Sequence, residues 1–160
     1  MKKIVLFLSM LLLFNISFGN EFHIEKKLNV DMPTFVLKDL DGKTTESKKI
    51  FKNSKKTLFI LAAEWCPHCR AELPEVQKFY EKYKDKVNVV VVFLGSSSLE
   101  EVKGYISNSE FTFPVYYDDD NSILEGFDIQ SVPFNFKISN NKIEEILELP
   151  VNYDSLVKSF

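Results

Sequence analysis

The sequence has few of the features that would give this chain a membrane, nucleic-acid or scaffold role. Its 160 residues include only two cysteines and two histidines, and the formal net charge is −3. A weakly acidic chain without a basic run is a poor candidate for binding nucleic acid or anionic lipid. Only two residues separate the cysteines, so a disulfide between them would close a loop too small to restrict the unfolded chain much. Redox chemistry is therefore the expected role of the cysteines.

The apolar stretch at the start of the chain is too short to be a membrane span. Lys2 and Lys3 precede it, it covers residues 4–14, and polar and small residues ending at Gly19 follow. A membrane helix needs about 20 apolar residues. A charged start, an apolar centre and a small-residue end are instead typical of a cleaved secretory signal.

This pattern divides the chain into three parts. We predict a signal peptide over residues 1–19, a mobile lead-in over 20–30 and one domain over 31–160. Export would place the domain in the periplasm or another extracytoplasmic compartment. No cysteine lies near the expected cleavage site, which excludes anchoring through a lipidated N-terminal cysteine.

Both cysteines and the only tryptophan lie within residues 63–70. An apolar run over 57–63, typical of a buried strand, leads into this stretch, and apolar residues at helical spacing follow it. Pro67 suits the first position of a helix, which makes Cys66 the N-cap. The Cys66 sulfur then lies beside unpaired backbone N–H groups at the positive end of the helix dipole, which favours the thiolate. We predict a reactive outer thiolate at Cys66 and a sheltered resolving thiol at Cys69.

The rest of the chain alternates between strand and helix patterns. An Asp41-Gly42 turn predicts a hairpin before the first core strand. Three consecutive aspartates from Asp118 are interpreted as a turn and helix cap, because a calcium loop needs more ligands at alternate positions. The predicted strands are 34–37, 57–63, 87–94, 115–117, 134–138 and 142–149, the last at a sheet edge, and the helices beyond the one at Pro67 are 47–51, one beginning near 99, 122–127 and 153–160.

A Trp-Cys-Pro-His-Cys motif between a strand and a helix resembles the active site of the thioredoxin superfamily. The longer pattern Trp-Cys-x-x-Cys-x-x-Glu-x-Pro is similar to the TlpA/ResA branch of extracytoplasmic members, over residues 31–160. The residues that match it are Trp65, Cys66, Cys69, Glu72 and Pro74. The resemblance implies an α/β thioredoxin-like fold, with a central mixed β-sheet flanked by helices, an N-terminal β-hairpin and an inserted helix. It also implies thiol–disulfide exchange with protein substrates through the cysteine pair, without a metal or other cofactor.

Glu72 has two interpretations. In ordinary thioredoxins a buried aspartate six residues before the first cysteine accepts the proton of the inner thiol, and here that position is Ile60. The resemblance to ResA-like proteins implies that Glu72 replaces it and takes the proton of Cys69 when Cys69 attacks the mixed disulfide. The alternative is a surface glutamate that pairs with Arg70 or Lys78.

His68 also has two interpretations. The Pro67-His68 pair between the cysteines resembles DsbA-type oxidases, in which the histidine stabilises the thiolate, here that of Cys66. Such stabilisation of the reduced form would make the protein a stronger oxidant. The alternative is an exposed residue at the start of a helix.

The Val132-Pro133 pair before a strand resembles the cis-proline loop that faces the cysteines in thioredoxin folds. In the family, the backbone of the residue before this proline, here Val132, pairs with an extended substrate chain, and Trp65 packs beside the site. Cis peptide bonds occur almost only at proline. The alternative is an ordinary trans proline at the start of a strand.

The direction of electron flow stays open at this point. The TlpA/ResA-like body favours a reductase supplied by a membrane electron donor and acting as a monomer, whereas Pro67-His68 favours a disulfide-forming oxidase. A copper carrier of the SCO type would need a histidine downstream of the cysteines, and none follows His68. A peroxiredoxin-type peroxidase would need a Pro-x-x-x-Thr-x-x-Cys context, which is absent.

Overall fold

The computed structural model describes residues 22–95 and 98–160, so the predicted signal peptide lies outside the described residues. Strands and helices alternate along most of the chain. In chain order they are β1 (Val36–Lys38), β2 (Thr44–Glu46), α1 (Ser47–Phe51), β3 (Lys56–Ala62), α2 (Pro67–Tyr83), β4 (Val87–Phe93), α3 (Leu99–Ser109), β5 (Val115–Tyr117), α4 (Ser122–Gly126), β6 (Phe134–Ser139), β7 (Lys142–Ile146) and α5 (Tyr153–Ser159).

Five strands form a mixed sheet in the order β5-β4-β3-β6-β7, and β1 and β2 form a separate hairpin. The central strand β3 pairs parallel with β4 and antiparallel with β6. From Leu58 onward β3 is apolar, and β4 is largely valine with Asn88 as its one polar residue, as expected of strands buried on both faces. The predicted thioredoxin-like α/β fold, with its hairpin and the inserted helix α3, is confirmed, and β7 lies at the sheet edge as predicted.

Successive residues of β3 point into two different cores, because side chains alternate across a strand. Leu58 and Ile60 belong to the core that includes Leu73 of α2 and Leu156 of α5. Phe59 and its alternate neighbours belong to a second core that includes residues of α1, α4 and the β1–β2 hairpin. Helices therefore cover both faces of the sheet.

Phe22 and Ile24 pack against the domain, within the segment predicted to be a mobile lead-in. The Phe22 ring stacks on Phe35 with 5.0 Å between centroids, and Ile24 is buried. The Ile24 backbone N–H donates to the Gly126 carbonyl at 3.0 Å. A Cβ on Gly126 would lie 2.3 Å from the Phe22 ring, so glycine is needed for this close approach. Burial of apolar surface and a backbone hydrogen bond hold the segment in place.

Side-chain oxygens fix two of the predicted turns. Asp39 accepts hydrogen bonds from the backbone N–H groups of Asp41 and Lys43 at the β1–β2 turn, where Gly42 has φ of 84°. Asp118 accepts from the N–H groups of Ile123 and Leu124 at the start of α4. The aspartate cluster therefore caps a helix, as predicted.

Candidate active site

Cys66 occupies the N-cap of α2, as predicted. Its backbone is extended, Pro67 takes the first helical position, and the Cys66 sulfur accepts a hydrogen bond from the Cys69 backbone N–H at 3.3 Å. The Cys66 thiol donates in turn to the Val132 carbonyl oxygen at 3.4 Å. Both cysteines are free thiols in this structure. The helix N-terminus thus presents an N–H donor to the sulfur, which stabilises a thiolate there.

The two cysteines differ little in exposure, because Cys66 is 3% and Cys69 1% exposed. They differ more in their surroundings. Burial raises the pKa of the Cys69 thiol, and the neighbouring Cys66 sulfur and Glu72 carboxyl raise it further. Cys69 therefore holds its proton at neutral pH and needs a proton acceptor before it can act as a nucleophile.

Glu72 is a buried residue of α2 with 2% exposure. Its Oε1 accepts a hydrogen bond from Asn135 Nδ2 at 2.7 Å, and its Oε2 accepts from the Val151 backbone N–H at 3.2 Å. Burial raises the pKa of the Glu72 carboxyl, and the two hydrogen bonds partly offset this effect. A carboxyl with a raised pKa next to a protonated thiol is suited to accept its proton.

The alternative of a surface glutamate paired with Arg70 or Lys78 is therefore wrong. Arg70 instead donates from Nε to the Glu64 carbonyl oxygen at 2.6 Å and lies over the Tyr105 ring. Lys78 pairs with Glu75 at 2.5 Å. Glu72 points to the sheet, since its partner Asn135 lies on β6.

The remaining predicted residues surround Cys66. The Val132–Pro133 peptide bond is cis, as predicted, and the Val132 carbonyl faces the Cys66 sulfur. Trp65 is 58% exposed, and its indole N–H donates to the Gly95 carbonyl at 3.3 Å. His68 lies exposed in the first turn of α2.

Asn135 is a site residue that the sequence analysis missed. It is 1% exposed and lies opposite Ile60 in the antiparallel β3–β6 register. Cross-strand partners share a face of the sheet, so both residues face α2. The sequence offered no clear signal, because β6 alternates apolar and polar residues and Asn135 falls on the same side of the strand as Lys137 and Ser139. A buried amide on that side needs a partner, but the pattern alone does not show that Asn135 is buried.

The described residues show no arrangement suited to a metal. Within 22–95 and 98–160, no three His, Cys, Asp or Glu side chains lie together so that they could hold an ion. The same residues include no helix with the length and apolar character needed to cross a bilayer.

A thioredoxin-like sheet with a Cys-x-x-Cys pair at the start of its first core helix defines a class, the TlpA/ResA-like proteins of the thioredoxin superfamily. The chain matches the Redoxin family over residues 27–143 and belongs to it. That family consists of thioredoxin-type oxidoreductases.

Individual relatives agree with this assignment. The chain is 33% identical over 129 residues to the thiol-disulfide oxidoreductase ResA of Oceanobacillus iheyensis, covering 79% of this chain and 60% of that protein. It is 28% identical over 136 residues to the sporulation thiol-disulfide oxidoreductase A of Bacillus subtilis, covering 82% of this chain and 81% of the relative. The crystal structure of StoA from Bacillus subtilis superposes with a TM-score of 0.69 at 26% identity, over 79% of this chain and 95% of that one.

Proposed function

We propose that this protein is an extracytoplasmic thiol–disulfide oxidoreductase that reduces disulfides in client proteins. The observation that carries the proposal is the pairing of Cys66 at a helix N-terminus with a buried, protonated Cys69 one turn further along the same helix. The relatives named thiol-disulfide oxidoreductases support the same activity.

In the first step, the Cys66 sulfur attacks one sulfur of a client disulfide. The client S–S bond breaks, a mixed disulfide between Cys66 and the client forms, and the other client sulfur leaves as a thiolate. The Cys69 backbone N–H, which already contacts the Cys66 sulfur, stabilises the Cys66 thiolate before the attack.

In the second step, the Cys69 sulfur attacks Cys66. The bond between Cys66 and the client breaks, a Cys66–Cys69 disulfide forms, and the second client sulfur leaves. Cys69 must lose its proton to do this, because burial keeps it protonated. Glu72 is the acceptor we assign, since it is the buried carboxyl one turn beyond Cys69.

The client chain is held by the residues around Cys66. The Val132 carbonyl, which faces the Cys66 sulfur, and the adjacent Pro133 form one side of the proposed groove. Trp65 forms the other side with a largely exposed indole ring. Large exposed aromatic side chains are typical of protein-binding surfaces.

The TlpA/ResA-like pattern over residues 31–160 supports the reductase direction, as the sequence resemblance implies. Such a reductase needs a thiol donor that returns Cys66 and Cys69 to the reduced form, and a membrane-bound electron donor would suit a protein exported by its N-terminal segment. The competing function is a disulfide-forming oxidase. His68 favours it, because this residue lies in the first turn of α2, next to Cys66.

Insulin reduction by dithiothreitol tests the activity. The wild-type protein should accelerate the precipitation of reduced insulin, and Cys66→Ser should not. Reduced Cys69→Ser, incubated with insulin after dithiothreitol has been removed, should instead accumulate a covalent mixed disulfide with insulin, visible as a band on a non-reducing gel. Equal activity of wild type and Cys66→Ser would contradict the proposal.

A further inference from the structure

A buried side-chain amide lies beneath the cysteines and contacts no catalytic sulfur directly. Asn135 projects from β6 toward α2, and its Nδ2 donates to Glu72 Oε1 at 2.7 Å. This bond joins residues 63 positions apart, and Asn135 and Glu72 are 1% and 2% exposed. A buried hydrogen bond to a charged group is among the stronger ones in proteins.

The position of Asn135 is also informative. Its cross-strand partner Ile60 stands where the superfamily resemblance would place an aspartate, so this position of β3 offers no polar side chain to the inner thiol. The polar pair Glu72–Asn135 supplies polar atoms on the same face of the sheet, one from α2 and one from β6. Neither of the two residues is needed there for packing, since apolar side chains would fill the space at lower cost.

We propose that Asn135 is the positioning residue of the resolving step, whose amide orients the Glu72 carboxylate to take the proton of Cys69. The inference rests on the proposed function, because it concerns the second step of that reaction. Asn135 touches neither substrate nor sulfur and acts through Glu72.

The Asn135 amide has one hydrogen-bonding group for each protonation state of Glu72. Its Nδ2 donates to the carboxylate, whereas its Oδ1 has no hydrogen-bond partner among the described residues. When the Cys69 thiol attacks Cys66, its proton passes to Glu72, the mixed disulfide breaks, and the client leaves as a thiolate. The neutral acid then carries an O–H, and a rotation of the Asn135 amide lets Oδ1 accept from it. The proton later returns to solvent or to the departing client.

The other ionisable groups around Glu72 are already paired or belong to the same reaction. Cys69 lies one turn before it on α2 and contributes to the site itself. Glu75, one turn further along α2, pairs with Lys78 and accepts from the Tyr153 backbone N–H, at the start of α5. On β6, Lys137 contacts Glu144 and Glu145 of β7. The Glu72 carboxyl is therefore the group whose titration Asn135 influences most directly.

The resolving step can be measured separately from the first step. Reduced protein is mixed with the disulfide reagent dithiobis(nitrobenzoate) in a stopped-flow instrument. One thionitrobenzoate is released when Cys66 reacts with the reagent, and a second is released when Cys69 attacks the resulting mixed disulfide at Cys66. The second phase is independent of reagent concentration, and Cys66 no longer titrates during it because its sulfur is bonded. The rate of this phase against pH reports the groups that control Cys69.

We expect Asn135→Leu to move this pH profile to higher pH by about one to two pH units, because a donor to the charged carboxylate is lost. Glu72→Gln should abolish the ionisation itself. Adding Asn135→Leu to Glu72→Gln should then change the profile no further.

Asn88→Leu is the matched control, since Asn88 lies in β4 and contacts Thr57 far from the cysteines. If Asn135→Leu does not fold, Asn135→Ser removes the same hydrogen bond with a smaller, polar side chain and should give the same direction of shift.

Two results would overturn the role of Asn135 alone. One is a wild-type profile in a folded Asn135 variant, and the other is an equal shift in the Glu72→Gln background, which would mean that Asn135 does not act through Glu72. An unchanged profile in Glu72→Gln would overturn both assignments. Failure of the proposed function is distinguishable, because the wild-type protein would then not reduce insulin.

Discussion

The two faces of the central sheet differ in the chemistry of their buried side chains. On one face, the Phe59 ring lies 5.3 Å from Phe51 and 5.6 Å from Phe127, within a cluster of phenylalanines. On the other face, Glu72 and Asn135 are buried with their polar atoms inside the core. The first face gains stability from apolar burial and aromatic packing, whereas the second carries polar groups that cost stability unless they are paired.

This difference separates stability from reactivity within one small domain. Residues of β3 that follow each other in sequence serve different functions, since Phe59 belongs to the phenylalanine face and Ile60 to the face with the cysteines. The strand period of two makes this possible. Changes on the phenylalanine face should therefore alter stability without altering the chemistry of Cys69.

The largest effect is expected on the phenylalanine face. Phe59→Ala should lower the free energy of unfolding by about 3–5 kcal/mol, because a fully buried ring is lost and a cavity remains. Urea unfolding measures this loss. Under conditions in which Phe59→Ala remains folded, the pH profile of the resolving step should be the same as in the wild type. Ile60→Ala is the matched comparison, and it should both destabilise the protein and alter the profile, because Ile60 neighbours Asn135.

A smaller effect with a defined sign is expected at Glu72. Burial raises the pKa of this carboxyl above its ordinary value, so the folded state binds the proton more tightly than the unfolded chain does. The stability it contributes is fully present below the unfolded pKa and is lost as pH rises through the folded pKa, by about 1.4 kcal/mol for each pH unit between the two. Glu72→Gln should therefore remove this fall, as measured by thermal unfolding across a pH series.

Glu75 provides the control of opposite sign for that series. Lys78 lowers the pKa of the Glu75 carboxyl through a hydrogen bond, so Glu75 contributes stability that is present above the unfolded pKa and lost as pH falls. Glu75→Gln should then leave unchanged the loss of stability with rising pH that is attributed to Glu72. If the difference in stability between the wild type and Glu72→Gln were the same at every pH, the assignment of a raised pKa to Glu72 would be contradicted.

The smallest effect concerns His68 and the direction of electron flow. If His68 stabilises the Cys66 thiolate electrostatically, His68→Ala should make the reduction potential more negative by on the order of 20 mV, given an interaction of about 1 kcal/mol in an exposed helix turn. Equilibration with glutathione buffers measures the shift. His23→Ala, at an exposed residue before the first strand, should leave the potential unchanged.

The sequence was sufficient for most of the fold and for the residues next to the sulfurs. Period-two and helical patterns gave the strand and helix positions, and local rules placed Cys66 at the N-cap. The cis bond before Pro133 was implied by the resemblance to thioredoxin folds. Asn135 could not be found this way, because its importance depends on the β3–β6 register and on a contact with a residue 63 positions away. The packing of Phe22 was missed for a similar reason, since it depends on the lack of a side chain at Gly126.

The reduction potential of the Cys66–Cys69 pair tests the proposed reductase function most directly. Trp65 adjoins Cys66, so its fluorescence can follow the equilibrium with glutathione. The account predicts a value near or below about −230 mV, toward that of thioredoxin. A value near about −120 mV, where DsbA lies, would contradict it and would mean that the protein oxidises its clients.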